Sequence, residues 1–352
     1  MKTKVEDLQA GCILNEDVMG LTQYPLIRKE TVLTEKHIEV LKAFFITDVK
    51  VKLKLGDRTP TKQAALLAKN ERLDDPASSF HIKYKKAVDM YQQEFKNWQS
   101  GAPVDIAAVR KLVLPIAEEA IKDITIIYSL SQQANKKDYV AHHAISTGII
   151  SGMLAKKLGL EQGRYVQAVL AGCLMDCGMA KMPEKWLNQA QELTTEVYTE
   201  VKKHPALSYQ MVKASPFLTT DTKLAIYQHQ ERLDGSGYPE GLKADQIHDL
   251  AKVIAVADAY YTMNQEQSPF RVIQQLFEDH FGKFDFIVLR ALSSLIANFK
   301  QGTQLKLSNG EQAEVLFVKA EALTRPLVKV CRTKEMINLE EKRDLFIEQI
   351  IL

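Results

Sequence analysis

Apolar positions recur at helical spacing through most of the chain. In residues 81–100, Ala87, Met90, Tyr91 and Phe95 fall on one helix face. Residues 105–131 carry a second helical pattern, which Pro115 is expected to kink or restart. From Asp138 to about Phe270, helix follows helix. Residues 139–158 are amphipathic and stop at Gly159, while residues 162–177 are so apolar that they belong at the centre of a core. Thr194 or Thr195 is expected to cap a helix running to about Ala214. Residues 221–232 form the helix that carries His229. Residues 250–263 are apolar nearly all round yet contain Asp258, and a carboxylate in a buried helix is costly unless paired or bound to a metal. A helix over about 285–299 closes the run.

The period changes at both ends. Residues 5–55 mix short strand-like runs (18–21 and 25–27) with turns, a helix over 35–45 capped by Thr34, and alternation over 48–53. Gly56, Pro60, Asp74, Asp75, Pro76, Ser78 and Ser79 read as a linker, although 62–69 suit a short helix. At the other end, residues 304–307 alternate, Ser308-Asn309-Gly310 is a hairpin turn signal, and 314–319 and 327–330 read as strands. The predicted fold class is mainly α: an all-helical bundle with a small N-terminal α+β module and a small β-rich C-terminal appendage. The expected boundaries are 1–56 for the module, 57–80 for the linker, 81–132 for a bracing or dimerising hairpin, 133–302 for the helical domain and 303–352 for the appendage.

Composition narrows the partners. A net charge of +2 over 352 residues gives no electrostatic case for DNA or an anionic membrane surface. No apolar run reaches the ~20 residues that span a bilayer, and the N-terminus lacks a signal-peptide core, so a cytoplasmic location without membrane insertion is expected. Cys12, Cys173, Cys177 and Cys331 are too scattered for a disulfide framework, and Cys173 and Cys177 read as reduced core thiols.

The chemistry concentrates in the helical block. His142, His143, Asp176, His204, His229, Glu231, Asp234, His248 and Asp258 lie there, several on otherwise apolar helices. Imidazoles and carboxylates on neighbouring buried helices suit Fe, Mn or Zn, and a dinuclear version suits phosphate-ester hydrolysis. Each histidine taken singly is more often satisfied by an ordinary hydrogen bond. After His229 and Glu231 the chain turns sharply through Asp234-Gly235-Ser236-Gly237-Tyr238-Pro239, where Gly235 and Gly237 permit positive φ and Pro239 bars further helix.

In order, His143, Asp176, His204 followed by Pro205, His229 with Glu231, the Gly237-Tyr238-Pro239 loop and Asp258 resemble the HD-GYP branch of the HD-domain phosphohydrolases. The resemblance covers about residues 135–285. It implies cyclic di-GMP or a related nucleotide as ligand, with iron, manganese or another divalent metal as cofactor. It makes His143, Asp176, His204, His229 and Asp258 metal ligands, with Asp176 bridging and catalytic. Glu231, Arg232, Asp234, Gly237, Tyr238 and Pro239 would frame the substrate pocket. One ion would keep His143, Asp176 and Asp258; another would keep Asp176, His204 and His229.

Several positions depart from the family pattern. Met175 replaces the histidine before Asp176, Met179 the phosphate-binding lysine, and Gln230 the second of two paired histidines; Tyr139 stands where some members place a carboxylate. The segment after Asp258 also diverges over 261–270. A thioether is a poor donor beside a hard ion. Losing a cation at a phosphoryl centre costs on the order of several kcal/mol. The expected function is therefore a cyclic di-GMP signalling protein that binds nucleotide, or a partner, with weak or no turnover. An active phosphodiesterase with a reduced metal site and an interaction module with a vestigial pocket are the alternatives. A homodimer through residues 81–131 and a signalling protein partner are further readings.

Overall fold

In a computed structural model, residues 76–131, 138–187 and 194–351 are described throughout, together with scattered positions between 2 and 51. The chain divides into two units, residues 1–75 and 76–352.

In the first unit, β1 (Lys2–Lys4) pairs antiparallel with β4 (Asp48–Lys50), and β2 (Val18–Met19) with β3 (Pro25–Ile27). Leu14, Leu33, Leu41, Val49 and Val51 are buried in its core. The Thr34 hydroxyl accepts from His37 N at 3.4 Å, as a cap does. Gly20, Leu21, most of the helix expected over 35–45, and residues 52–75 lie outside the described residues.

The second unit is helical, beginning with α1 (Pro76–Gln99), which starts inside the stretch expected as linker. Next, α2 (Ile106–Lys122) starts at Asp105, whose carboxylate accepts from Ala108 N at 3.0 Å. It passes through Pro115 unbroken. Pro115 and Lys111, the residue whose carbonyl loses its partner, are both exposed, so water replaces the missing bond. A short α3 (Ile126–Ser129) follows. The central helix is α4 (Tyr139–Lys157), buried from Ala141 through Ala155, with α5 (Gln162–Leu174) packed along it. The single helix expected from 194 to 214 is two: α6 (Thr195–Val201) and α7 (His204–Val212). Pro205, in the first turn of α7, has no N–H with which to continue α6. The remaining helices are α8 (Thr220–Gln228), α9 (Asp249–Met263), α10 (Pro269–Glu278) and α11 (Phe286–Ile296).

The chain ends in an antiparallel sheet of order β8-β7-β6-β5-β9: β5 (Gln304–Leu307), β6 (Gln312–Phe317), β7 (Leu327–Val330), β8 (Met336–Asn338) and β9 (Ile347–Ile351). This is the small C-terminal sheet expected from the sequence, and it packs on the helices. Leu305, Leu307, Val315, Val328 and Ile347 join the same core as the helices, and the Ser268 hydroxyl donates to Ile347 O at 3.0 Å. The hairpin formed by α1 and α2 also shares that core, through Tyr84, Tyr91, Trp98 and Val109. Among the described residues, no helix is long and apolar enough to cross a membrane.

Candidate metal centre

Three helix boundaries deliver the centre. α5 stops at Leu174, and the chain enters a tight turn over Cys177–Lys181, leaving Asp176 just outside the helix. His204 opens α7, and His229 follows the last residue of α8. Their Nδ1 atoms face main-chain carbonyls, Val201 O and Ile226 O, each at 2.8 Å. A carbonyl only accepts, so in the neutral rings Nδ1 carries the proton and Nε2 presents a lone pair. The two Nε2 atoms stand 3.1 Å apart, and 3.1 Å (His204) and 3.3 Å (His229) from Asp176 Oδ1.

Asp176 Oδ1 is buried and accepts no hydrogen bond. Burial opposes its charge, but His204, His143 and His229 outweigh that and hold the carboxyl well below the usual carboxylate range. That stabilisation requires a proton on the facing Nε2 atoms; with both rings neutral and Nδ1-protonated, two nitrogen lone pairs and an anionic oxygen at these separations repel one another unless a metal cation lies among them. Zinc-type bonds of about 2.0–2.2 Å produce ligand separations of this size. The donor set therefore fits a divalent ion held by Asp176, His204 and His229.

His143 and Asp258 stand beside this triad as a pair. His143, on α4, places Nδ1 3.1 Å from Asp176 Oδ2 and Nε2 2.8 Å from Asp258 Oδ1. Its ring lies between Tyr139, stacked at 5.4 Å, and Tyr261, tilted at 5.4 Å. Burial disfavours a charged ring, but Tyr139 and the two carboxylates outweigh it and raise His143 well above the usual histidine value. The other oxygen of Asp258 accepts from Gln230 Nε2 at 2.9 Å, and Arg232 Nη2 donates to Gln230 Oε1 at 3.0 Å. Gln230, expected from the resemblance to stand in place of a second histidine, thus spends its amide on Asp258. Met175 is fully buried, Met179 packs against the core, and Lys181 Nζ donates to Trp98 O at 3.2 Å. His142 instead bonds the Tyr84 hydroxyl at 3.0 Å, and His248 caps α9 by accepting from Leu250 N at 3.1 Å.

The His143 pairing has a pH signature. Its folded-state value is raised, so its stabilising contribution is complete below the unfolded value of about 6.5 and is lost as pH rises through the folded-state value. Thermal scans of metal-stripped protein are expected to show a declining midpoint on that alkaline side, and His143→Gln should flatten the decline. An identical profile in the variant would mean that the imidazolium pairing contributes nothing.

Residues 127–276 match the HD domain, a stretch containing every residue of the centre. A cyclic di-GMP phosphodiesterase of Pseudomonas aeruginosa is 28% identical over 243 residues, 67% of this chain and 58% of that one. Another, from Borreliella burgdorferi, is 24% identical over 212 residues, 58% of this chain and 56% of its own. This chain therefore spans under two thirds of either relative. Residues 127–276 thus form an HD domain, and the chain is similar to the HD-GYP family. The HD-GYP fold is seen again in an HDG"Y"P protein from Bdellovibrio bacteriovorus, at a TM-score of 0.52 and 16% identity, covering 83% of this chain and 97% of that one.

The loop that gives the HD-GYP family its name closes on itself. Both oxygens of buried Glu231 are used there, accepting from Glu240 N at 2.7 Å and Leu242 N at 2.9 Å. Arg232 donates to His229 O and Glu231 O, and its guanidinium lies 4.9 Å over the Phe284 ring. Asp234 is exposed and accepts from Ser236 N and its hydroxyl. These three residues, expected to line the pocket, build the loop. Gly235 has φ +81°, but Gly237 does not lie in the left-handed region: it is needed because a Cβ there would sit 2.4 Å from Arg232 N and Glu231 Cα. Tyr238 does face the centre, its ring edge-on to His204 at 6.0 Å, and precedes Pro239 through a cis peptide. Sequence reasoning missed Thr262, whose hydroxyl donates to Asp258 Oδ1 at 3.5 Å; its i+4 spacing from Asp258 was the available signal.

Proposed function

We propose that this chain binds cyclic di-GMP or a related cyclic dinucleotide at a centre holding a single divalent ion, and hydrolyses it weakly or not at all. The supporting observation is Asp258, whose two oxygens are engaged by His143 and Gln230. The residues that the resemblance assigns to a second ion are thus paired with one another. Asp176, His204 and His229 would hold the remaining ion, with iron or manganese suiting a nitrogen–oxygen donor set. When bound, such an ion polarises a phosphate oxygen and acidifies a water. The chain's own residues carry the rest. Tyr238 walls the pocket beside His204, while His143 contributes positive charge and fixes both carboxylates. Met179 offers no cation to the scissile phosphate, a loss of order several kcal/mol in transition-state stabilisation. Ground-state binding survives such a loss better than turnover.

The complete triad favours a second reading, a slow phosphodiesterase with one ion. Elemental analysis, equilibrium binding and product chromatography with cyclic di-GMP and Mn(II) or Fe(II) separate the two. The expected result is one ion per chain and saturable binding with little linear dinucleotide or GMP. Two ions and efficient hydrolysis would overturn the proposal. Combining Met175→His, Met179→Lys and Gln230→His is expected to raise both metal content and turnover.

A further inference from the structure

Beside the centre, one lysine is held in place without a carboxylate. Lys202, at the end of α6, places its ammonium 4.7 Å from the Tyr198 ring centre and 5.5 Å from that of Tyr238. Tyr198 precedes it by four residues on the same helix, and Tyr238 meets His204 edge-on. The neighbouring Lys203 takes Glu200 as its partner at 2.6 Å, while Lys202 has no ion pair among the described residues. Aromatic faces orient an ammonium but leave its charge uncompensated and its N–H groups free. Arg232 and Lys181, by contrast, are occupied. Arg232 serves the loop carbonyls and Gln230, and Lys181 serves Trp98 O.

We infer that Lys202 is a phosphate-binding residue for a cyclic dinucleotide, engaging the phosphodiester that is not at the metal. The inference rests on the cyclic-dinucleotide reading above and specifies what that ligand touches. The placement sets the division of labour. The Tyr238 ring neighbours both groups, 5.5 Å from the ammonium and 6.0 Å from the His204 ring, so Lys202 is assigned to the pocket wall and not to the place of the cation lost at Met179. A cyclic dinucleotide carries two phosphodiesters in one ring, and a phosphate at the triad leaves the second to be received elsewhere. A charge-assisted contact there would strengthen binding without assisting bond cleavage. It accords with a centre that keeps ligand binding while losing catalytic groups.

The test measures dissociation constants of cyclic di-GMP and of GMP, which has a single phosphate, on the Mn(II)-loaded full chain. Parent, Lys202→Met and Lys202→Arg are compared, with bound metal assayed in each. Lys202→Met is expected to weaken cyclic di-GMP about tenfold or more, as for a hydrogen bond to a charged group. Its GMP affinity and metal content should match the parent, and Lys202→Arg should recover most of the lost affinity. Parent-like cyclic di-GMP binding by Lys202→Met overturns the inference and leaves the cyclic-dinucleotide reading standing. Equal weakening of both ligands, or reduced metal, also overturns it by showing a structural role. If the parent binds neither ligand, the reading itself fails and the inference falls with it.

Discussion

Replacing Asp176 by alanine is expected to abolish divalent-metal binding while leaving the helical fold intact. Asp176 is the one carboxylate in the triad, and its Oδ1 is the buried atom that accepts no hydrogen bond. Two imidazoles alone make a neutral, two-donor site. Losing an outer-shell partner weakens metal binding about 10–100-fold, and losing a direct ligand should exceed that. The readout is the shift in unfolding midpoint on adding Mn(II). At a free metal concentration about 100 times the dissociation constant, the parent gains about 2.7 kcal/mol. The variant should gain nothing. A parent-sized shift in the variant would place the ion somewhere other than this triad.

Gly237→Ala is the second large effect. The added Cβ would lie 2.4 Å from Arg232 N and Glu231 Cα and 2.6 Å from Gln230 O. These are main-chain atoms, so no rotamer change relieves the clash, and the loop must open. Overpacking of this kind costs about 1–3 kcal/mol, and the rigid neighbours place this site at the upper end. The damage also travels. Gln230, which the loop positions and Arg232 braces, holds the second oxygen of Asp258. A lower unfolding midpoint together with weaker nucleotide binding is expected from calorimetry and titration. Parent-like values in both would show that the loop yields at no cost.

The helical character of the chain was legible because long amphipathic runs carry a strong periodic signal. α4, α5 and α9 fall close to the bounds their apolar patterns imply. Breaks were harder to see. Pro205 splits what reads as one helix, whereas Pro115, on an exposed face, breaks nothing. The C-terminal sheet read as separate because β5 pairs with β9, about forty residues further on, and local patterning carries no record of so distant a partner. At the site, the order of the motifs indicated which side chains to inspect but not their partners. A carboxylate such as Glu231 looks the same in sequence whether it faces a ligand or two backbone amides. Gln230 read as a gap, yet its amide hydrogen-bonds the neighbouring aspartate.

The shared core of helices and terminal strands bears on how such proteins recombine. The candidate centre lies within residues 127–276, but a gene fusion that carried only that stretch would leave behind α1, α2, α11 and strands β5 to β9. Core faces that these elements now cover would meet water. The smallest heritable piece able to keep this pocket in shape is therefore far larger than the piece that carries its ligands.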